Sequence, residues 1–134
     1  MEKYQENDVF ILFRQSKLWY FRLLLKKAFS HMFVIRFTGN GWLLVEYKNG
    51  YVNANVISNK YDLINFFLKR SHKIVKLKEN AHHKKNNILP CIAFFSCVTL
   101  TKYVTRIKCK SKTPFAFFNY LLKNNLAMEI KNGR

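Results

Sequence analysis

The stretch His31–Ile57, HMFVIRFTGNGWLLVEYKNGYVNANVI, decides the fold of this chain. Two apolar runs, HMFVIRF and WLLVEYK, flank the glycine-containing turn Thr38–Gly41. Asn49-Gly50 follows them, and this dipeptide is typical of a type I′ hairpin turn. The last segment, YVNANVI, alternates with the period of two expected of a strand. The sequence therefore predicts a three-strand antiparallel meander.

The segments around the meander predict further strands and helices. Thr113-Pro114 indicates a helix start, with Thr as N-cap and Pro at the first helical position. The other predicted segments are a strand at Asp8–Phe13, a helical or extended segment at Leu18–Leu25, a helix at Tyr61–Arg70, a strand at His72–Lys78 and a polar loop at Glu79–Asn87. This order predicts a small α+β domain over residues 1–134, with frayed ends at 1–8 and 126–134.

The predicted core is rich in aromatic side chains. The spacing of six aromatic residues indicates that they occupy core positions and do not form a platform on which nucleic-acid bases stack. These residues are Phe33, Trp42, Phe66, Phe67, Phe115 and Phe118. In the last helix the expected apolar face consists of Phe115, Phe118, Leu121 and Leu122.

Length and composition exclude several classes of protein. With 134 residues the chain is long enough for one domain with its own core. Its 49% hydrophobic residues exclude an intrinsically disordered chain. Three cysteines form no closed disulfide framework, and no CxxC pair indicates zinc.

The polar Met1–Asp8 segment does not resemble a secretory signal, and the apolar run Ile88–Leu100 is shorter than the roughly 20 residues of a membrane span. We therefore expect a cytoplasmic protein without a cofactor.

The net charge of +17 suggests an anionic partner. A strongly basic chain often binds nucleic acid or an anionic surface. However, the 18 Lys outnumber the 6 Arg, and Lys, Asn, Phe and Ile all have A/T-rich codons, which weakens charge as a functional indicator. The sequence contains no recognised nucleic-acid-binding motif, so such a binding module stays the alternative function.

His31 and Cys97 are the pair with chemical potential. The chain lacks a phosphate-binding loop, paired catalytic carboxylates and a series of metal ligands, and His82-His83 lies in a polar, Lys-rich segment that favours a solvated loop. If a helix begins at Cys97, its unpaired N–H groups and its dipole would stabilise a thiolate. A histidine within hydrogen-bonding reach would activate that thiol as a nucleophile.

The segment that begins at Cys97 has two interpretations. As a helix it would place Leu100, Val104 and Ile107 on one apolar face, while Thr99, Lys102 and Arg106 would face water. Its β-branched residues favour a strand instead, in which Cys97 would be a small buried hydrophobic residue. These β-branched residues are Val98, Thr99, Thr101, Val104 and Thr105.

Four segments together resemble a known family: FSHMFVIR, WLLVEY after the glycine turn, SCVTLTKYV and TPFAFFNYLL. They resemble a group of small phage-associated proteins that are similar to circularly permuted papain-like thiol hydrolases. That superfamily includes the NlpC-type cell-wall peptidases and the lecithin retinol acyltransferase relatives. The resemblance covers about Val9–Leu122. It implies a permuted papain-like fold with His31 as general base and Cys97 as nucleophile. Val98-Thr99 stands where the acyltransferase branch has Glu-His-Phe.

Strand register suggests the residue that orients the His31 ring. If the turn is Thr38–Gly41, Phe37 pairs with Trp42, and Glu46 becomes a diagonal neighbour of His31 on the same face. Asn53 then lies opposite Glu46 on that face. Glu46 is the first choice, because a carboxylate can accept the imidazole N–H and fix its tautomer. Asn53 is the second choice, and a solvated strand face is the alternative for both.

The sequence thus predicts a papain-like cysteine hydrolase or acyltransferase that acts on an amide or ester. Its substrate would be a peptide, peptidoglycan or an acyl compound. A catalytically inactive papain-like interaction protein is a further alternative, motivated by the departure after Cys97.

Overall fold

The computed structural model describes residues 3–14, 31–48, 50–70, 72–78 and 97–131. Within these ranges it is an α+β domain with a six-stranded antiparallel sheet and three helices, as the sequence predicts at that level. The strands lie in the order β4-β3-β2-β1-β5-β6. The elements are β1 (Val9–Arg14), β2 (His31–Phe37), β3 (Gly41–Lys48), β4 (Tyr51–Ser58), α1 (Leu63–Leu68), β5 (Lys73–Leu77), α2 (Cys97–Thr105), α3 (Pro114–Lys123) and β6 (Ala127–Ile130).

The meander has the register that its turns predict. Phe37 pairs with Trp42 across the turn Thr38–Gly41, and the Thr38 N–H donates to the Gly41 carbonyl at 2.9 Å. Gly39 within this turn has φ +83°, a left-handed conformation that favours glycine. On the next hairpin Lys48 pairs with Tyr51. The register that underlies the Glu46 prediction is therefore confirmed.

The sheet has a buried core on each face. Alternate residues of β1 and β2 point to opposite faces of the sheet. Both strands are nevertheless buried over most of their length, because both faces are covered. One core contains Ile11, Met32 and Phe117, and α2 and α3 cover it. The other contains Leu12, Phe33 and Trp42, and α1 covers it. Helices on both faces explain why β1 is a continuous apolar run instead of an alternating one.

Both predicted frayed ends contain ordered structure, which corrects the sequence prediction. At the start, the Tyr4 hydroxyl donates to Asp62 at 2.5 Å, and the Tyr4 ring packs edge-on to Trp42. At the end, Ala127–Ile130 form β6, which pairs with β5. Both contacts join residues far apart in sequence, so local composition did not indicate them.

The first helix is shorter than the predicted Tyr61–Arg70. Asp62 accepts a hydrogen bond from the Asn65 N–H at 3.0 Å and thereby caps α1 at its start. The predicted core position of Phe66 is wrong, because this side chain is 44% exposed, whereas Phe33 and Trp42 are buried as expected.

The buried faces of α2 and α3 differ from the predicted ones. The Cys97 segment is a helix, but Val104 is 39% exposed, and Val98, Thr101 and Thr105 are buried instead. The Thr101 and Thr105 hydroxyls donate to carbonyls one turn earlier, so these polar side chains are buried with partners. In α3 the Thr113 cap and Pro114 start are confirmed. Its most buried aromatic residue is Phe117, which the predicted face omitted, whereas Phe115 is half-buried.

Some predictions fall outside the described residues: Leu18–Leu25, the loop Glu79–Asn87 with His82-His83, and the part of the apolar run Ile88–Leu100 that precedes Cys97. Among the helices that the structure describes, none has the length and hydropathy needed to cross a membrane.

The end of α2 provides a first test of the fold. Arg106 has φ +58°, and the Ile107 N–H donates to the Lys102 carbonyl at 3.1 Å, the hydrogen bond of a Schellman motif. Glycine is the residue that this left-handed position favours. We expect Arg106→Gly to raise the free energy of unfolding by about 0.5–1 kcal/mol, measured by urea unfolding. The matched control is Lys108→Gly beyond the motif, which should not stabilise the protein.

Candidate active site

The centre of the candidate site is a contact between His31 and Glu46. His31 is the first residue of β2, and Glu46 lies near the end of the neighbouring strand β3. His31 Nε2 lies 3.6 Å from Glu46 Oε2, and both side chains are largely buried. Nε2 is buried without a hydrogen bond to any described residue, so Glu46 is the acceptor that faces it. The structure thus brings together His31 and Glu46, the residues that the sequence predicts as general base and first-choice orienting residue.

Arg14 approaches the same carboxylate from the other side. It is the last residue of β1, pairs with His31 in the sheet and places Nη2 3.9 Å from Glu46 Oε1. Its guanidinium also lies 5.9 Å from the centre of the Phe33 ring. The two oxygens of Glu46 therefore face two different basic groups, one from β1 and one from β2.

Cys97 reaches His31 from the opposite face of the sheet. It is the first residue of α2, which packs over β2 and β3 and contributes to the core that contains Phe117. Burial lowers the pKa of His31, and the Cys97 thiol is the first of the neighbours that raise it, which puts the two side chains within interaction range. The two residues meet because His31 is at the end of its strand, where the start of α2 lies beside it. Cys97 is half-buried and reduced.

The pKa values of His31 and Glu46 report their mutual attraction. Burial lowers the pKa of His31. The Cys97 thiol and the Glu46 carboxylate favour the charged ring, outweigh that effect and raise its pKa above the ordinary 6.5. For Glu46 the largest influence is His31, which lowers the pKa of the carboxyl below 4.5 although 3.6 Å is long for a hydrogen bond. Positive charge on Arg14 lowers both pKa values.

Asn53, the second-choice orienting residue, lies opposite Glu46 on β4. Its side chain is exposed, and β4 is one strand further from His31 than Glu46 is. The structure therefore places Glu46, and not Asn53, against the imidazole.

A second histidine, His72, lies near the site but in a different environment. Its ring packs 6.1 Å from Phe33 and 5.1 Å from Phe67, and burial lowers its pKa below 6.5. The opposite pKa shifts of His31 and His72 follow from their neighbours, since only His31 has both a carboxylate and a thiol beside it.

Arg14 is the site residue that the sequence analysis missed. The available signal was the end of the strand Asp8–Phe13, because consecutive strands often pair in a sheet. Pairing of β1 with β2 then places the last residue of β1 opposite His31. Local spacing does not assign that pairing, so in the sequence Arg14 counts only toward the general positive charge.

The ion pair predicts a pH dependence of stability. Because the folded pKa of His31 is raised, its stabilising contribution is present below pH 6.5 and disappears as pH rises through the folded pKa. Because the folded pKa of Glu46 is lowered, its contribution is present above pH 4.5 and disappears as pH falls through the folded pKa. The pair is therefore strongest between about pH 4.5 and 6.5.

We expect Glu46→Gln to lower the pKa of His31 and to destabilise the protein by about 1 kcal/mol within that pH window. NMR titration of the imidazole protons measures the first effect, and urea unfolding across pH measures the second. The matched control is Glu129→Gln, a carboxylate paired with Lys73 on the far side of the sheet, which should leave the His31 titration unchanged. An unchanged His31 pKa in Glu46→Gln would contradict the assigned contact.

Comparison with family models, with curated proteins and with solved structures finds no match to this chain. In the part of the chain that the structure describes, no three His, Cys, Asp or Glu residues are grouped to hold a metal ion.

Proposed function

We propose that the protein is a cysteine hydrolase or acyltransferase of the permuted papain-like type, with Cys97 as nucleophile and His31 as general base. One observation carries the proposal: the start of α2, the start of β2 and the end of β3 bring Cys97, His31 and Glu46 into one chain of contacts. A nucleophile, a base and an acidic group that orients the base are the three parts of such a site.

The two ring nitrogens of His31 have separate tasks in this proposal. Nε2 faces Glu46, which favours the tautomer with its proton on that nitrogen. Nδ1 is then the basic nitrogen that accepts the thiol proton of Cys97. A raised pKa of His31 supports this assignment, because the imidazolium that forms is stabilised by negative charge on both sides.

The reaction has two halves. In the first, the Cys97 sulfur attacks the carbonyl carbon of an amide or ester as its proton moves to His31. His31 then gives that proton to the leaving amine or alcohol, and a thioacyl intermediate remains on Cys97. In the second half His31 removes a proton from water or from an acceptor alcohol or amine, which attacks the thioester and releases Cys97 with its proton restored.

The beginning of α2 supplies the remaining element of catalysis. The first N–H groups of a helix have no partner within the helix, and they lie at the positive end of its dipole. They can therefore donate to the oxygen of the tetrahedral intermediate, which carries negative charge. A nucleophile on the first residue of α2 puts this charge next to those donors.

Chain order supports the permuted papain-like form of the proposal. His31 lies on a strand of the meander, and Cys97 begins a helix that follows later in the chain. This is the order that the resemblance implies. The substrate class of peptide, peptidoglycan or acyl compound rests on the resemblance alone.

Acyl trapping tests the proposal. Incubation with p-nitrophenyl acetate should acetylate Cys97 within seconds to minutes, and intact-protein and peptide mass spectrometry should locate the acetyl group there. Cys97→Ser and His31→Ala should each lose at least about 100-fold in the rate of acetylation, the scale of general-base catalysis. Cys109→Ser, the matched control, should retain the full rate. Equal acetylation of Cys97 and Cys109, insensitive to His31→Ala, would overturn the proposal.

A further inference from the structure

The strand β4 is at one edge of the sheet that the described residues form. Within the described residues no strand pairs with its outer side, and seven of its eight residues are exposed. Tyr51, Val52 and Val56 are exposed to 73%, 47% and 81%. No residue of β4 is charged, although 24 of the 134 residues in the chain are basic. Long exposed edge strands without charged residues are templates for pairing with another strand.

The edge at the other end of the sheet is different. There β6 has four residues, carries Glu129 and forms an ion pair through it with Lys73. A short, charged strand is a usual protection against pairing between proteins. The strand β4 has neither feature, and its pairing with β3 runs without a bulge from Gly41↔Ser58 to Lys48↔Tyr51. Among the described strands, β6 is therefore protected against pairing with another chain, whereas β4 is not.

The sequence of β4 is nearly a palindrome about Ala54. Residues 51–57 are Tyr-Val-Asn-Ala-Asn-Val-Ile, so the same residue types recur on both sides of that alanine. A two-fold axis through an antiparallel strand pair has a simple consequence. If residue i of one copy pairs with residue j of the other, then residue j of the first copy pairs with residue i of the second. An axis at Ala54 pairs Val52 with Val56, Asn53 with Asn55 and Tyr51 with Ile57. Each pair then matches apolar with apolar or amide with amide.

The backbone N–H and C=O groups of β4 alternate in the way that such an axis requires. Only two residues join β3 to β4, so Lys48 and Tyr51 close the hairpin as a hydrogen-bonded pair. Hydrogen-bonded pairs alternate along an antiparallel ladder, so Tyr51, Asn53 and Asn55 direct their backbone groups toward β3. The intervening residues Val52, Ala54 and Val56 direct theirs outward. Two copies of Ala54 can therefore exchange both backbone hydrogen bonds across the axis.

We propose that β4 pairs antiparallel with β4 of a second copy of this chain, about a two-fold axis at Ala54. A second copy is the occupant because the palindrome makes the strand complementary to itself. Charge also permits it, since the uncharged strand lets two chains of net charge +17 meet without placing lysines opposite each other. A single strand pair covers less than a standard interface of about 1,200–2,000 Å², so the dimer is weak, with a Kd of about 10–100 μM.

Sedimentation of the full chain tests the dimer. In buffer with enough salt to screen the net charge, the wild type should convert from monomer to dimer between about 1 and 500 μM protein. Val56→Lys should raise the Kd at least about tenfold, since each interface contains two copies of the added charge. Ala54→Pro should do the same, because it removes an outward N–H without disturbing the pairing with β3. Circular dichroism confirms that both variants fold.

Met128→Lys is the matched control. It adds the same charge at a position 55% exposed on β6, the opposite edge, and should leave the dimer intact. A dimer that persists in both β4 variants overturns the proposal, as does one lost equally in Met128→Lys. A wild type that stays monomeric throughout the concentration range also overturns it, and assigns the open edge to a strand of some other protein.

Discussion

Replacing His31 with alanine should slow the alkylation of Cys97 by iodoacetamide at least about tenfold at pH 6–7. The thiolate is the form that reacts, and a neighbouring imidazolium stabilises it. In the folded protein Glu46 lies 3.6 Å from the His31 ring, and Cys97 and Glu46 outweigh burial and raise the pKa of His31, which favours the charged ring. Loss of the ring removes this stabilisation while leaving the thiol in place.

The pH dependence of alkylation distinguishes activation from simple accessibility. An ordinary thiol, with a pKa near 8.5, loses about tenfold in rate for each pH unit below that value. The ratio of the Cys97 alkylation rate in the wild type to that in His31→Ala should grow as the pH falls, because the His31 ring is more fully charged at lower pH. Peptide mass spectrometry after timed quenching measures the rate at each cysteine.

Two controls are present in the same chain. Cys109 is also a reduced, half-buried cysteine, and it packs against the same core as Cys97. Its alkylation rate should not respond to His31→Ala. The variant His72→Ala removes a different half-buried histidine and should leave Cys97 unaffected. Equal, slow labelling of Cys97 and Cys109 in the wild type would count decisively against an activated nucleophile.

Phe117→Ala should lower the free energy of unfolding by about 3–5 kcal/mol, the largest stability effect expected here. Phe117 is fully buried between α3 and the sheet, in the core that also contains Ile11 and Met32. Truncation removes the buried ring and leaves a cavity that the surrounding side chains fill only in part. Since a domain of this size is stable by about 5–15 kcal/mol, the loss is a large share of the total.

Urea unfolding measures this loss, with Phe66→Ala as the control. Phe66 is 44% exposed and contacts the Arg70 guanidinium at 3.6 Å, so its truncation should cost about 1 kcal/mol or less. Phe117→Leu should recover much of the loss, because it refills part of the space. A similar cost for Phe66→Ala and Phe117→Ala would contradict the assigned burial.

The contrast between these phenylalanines shows that local sequence patterns do not predict which side of a short helix is buried. Periodicity predicted Phe66 and Phe115 as core residues and omitted Phe117. All three residues lie in short helices. A helix six to ten residues long has several adjacent apolar residues, and the pattern alone does not fix which side meets the sheet. Packing against β1 and β2 selected Phe117, as it selected Thr101 and Thr105 over Val104 in α2.

The sequence by itself determined the meander, its register and the relation of Glu46 to Asn53. It could do so because two-residue and four-residue turns fix strand pairing locally, and the period of two then assigns each face. Only the tertiary structure decided that Ala127–Ile130 pairs with β5, that Arg14 shares Glu46 with His31 and that Cys97 lies within interaction range of His31. Those contacts join segments distant in the chain, and their geometry follows from the order of strands and the packing of helices, which no local spacing specifies.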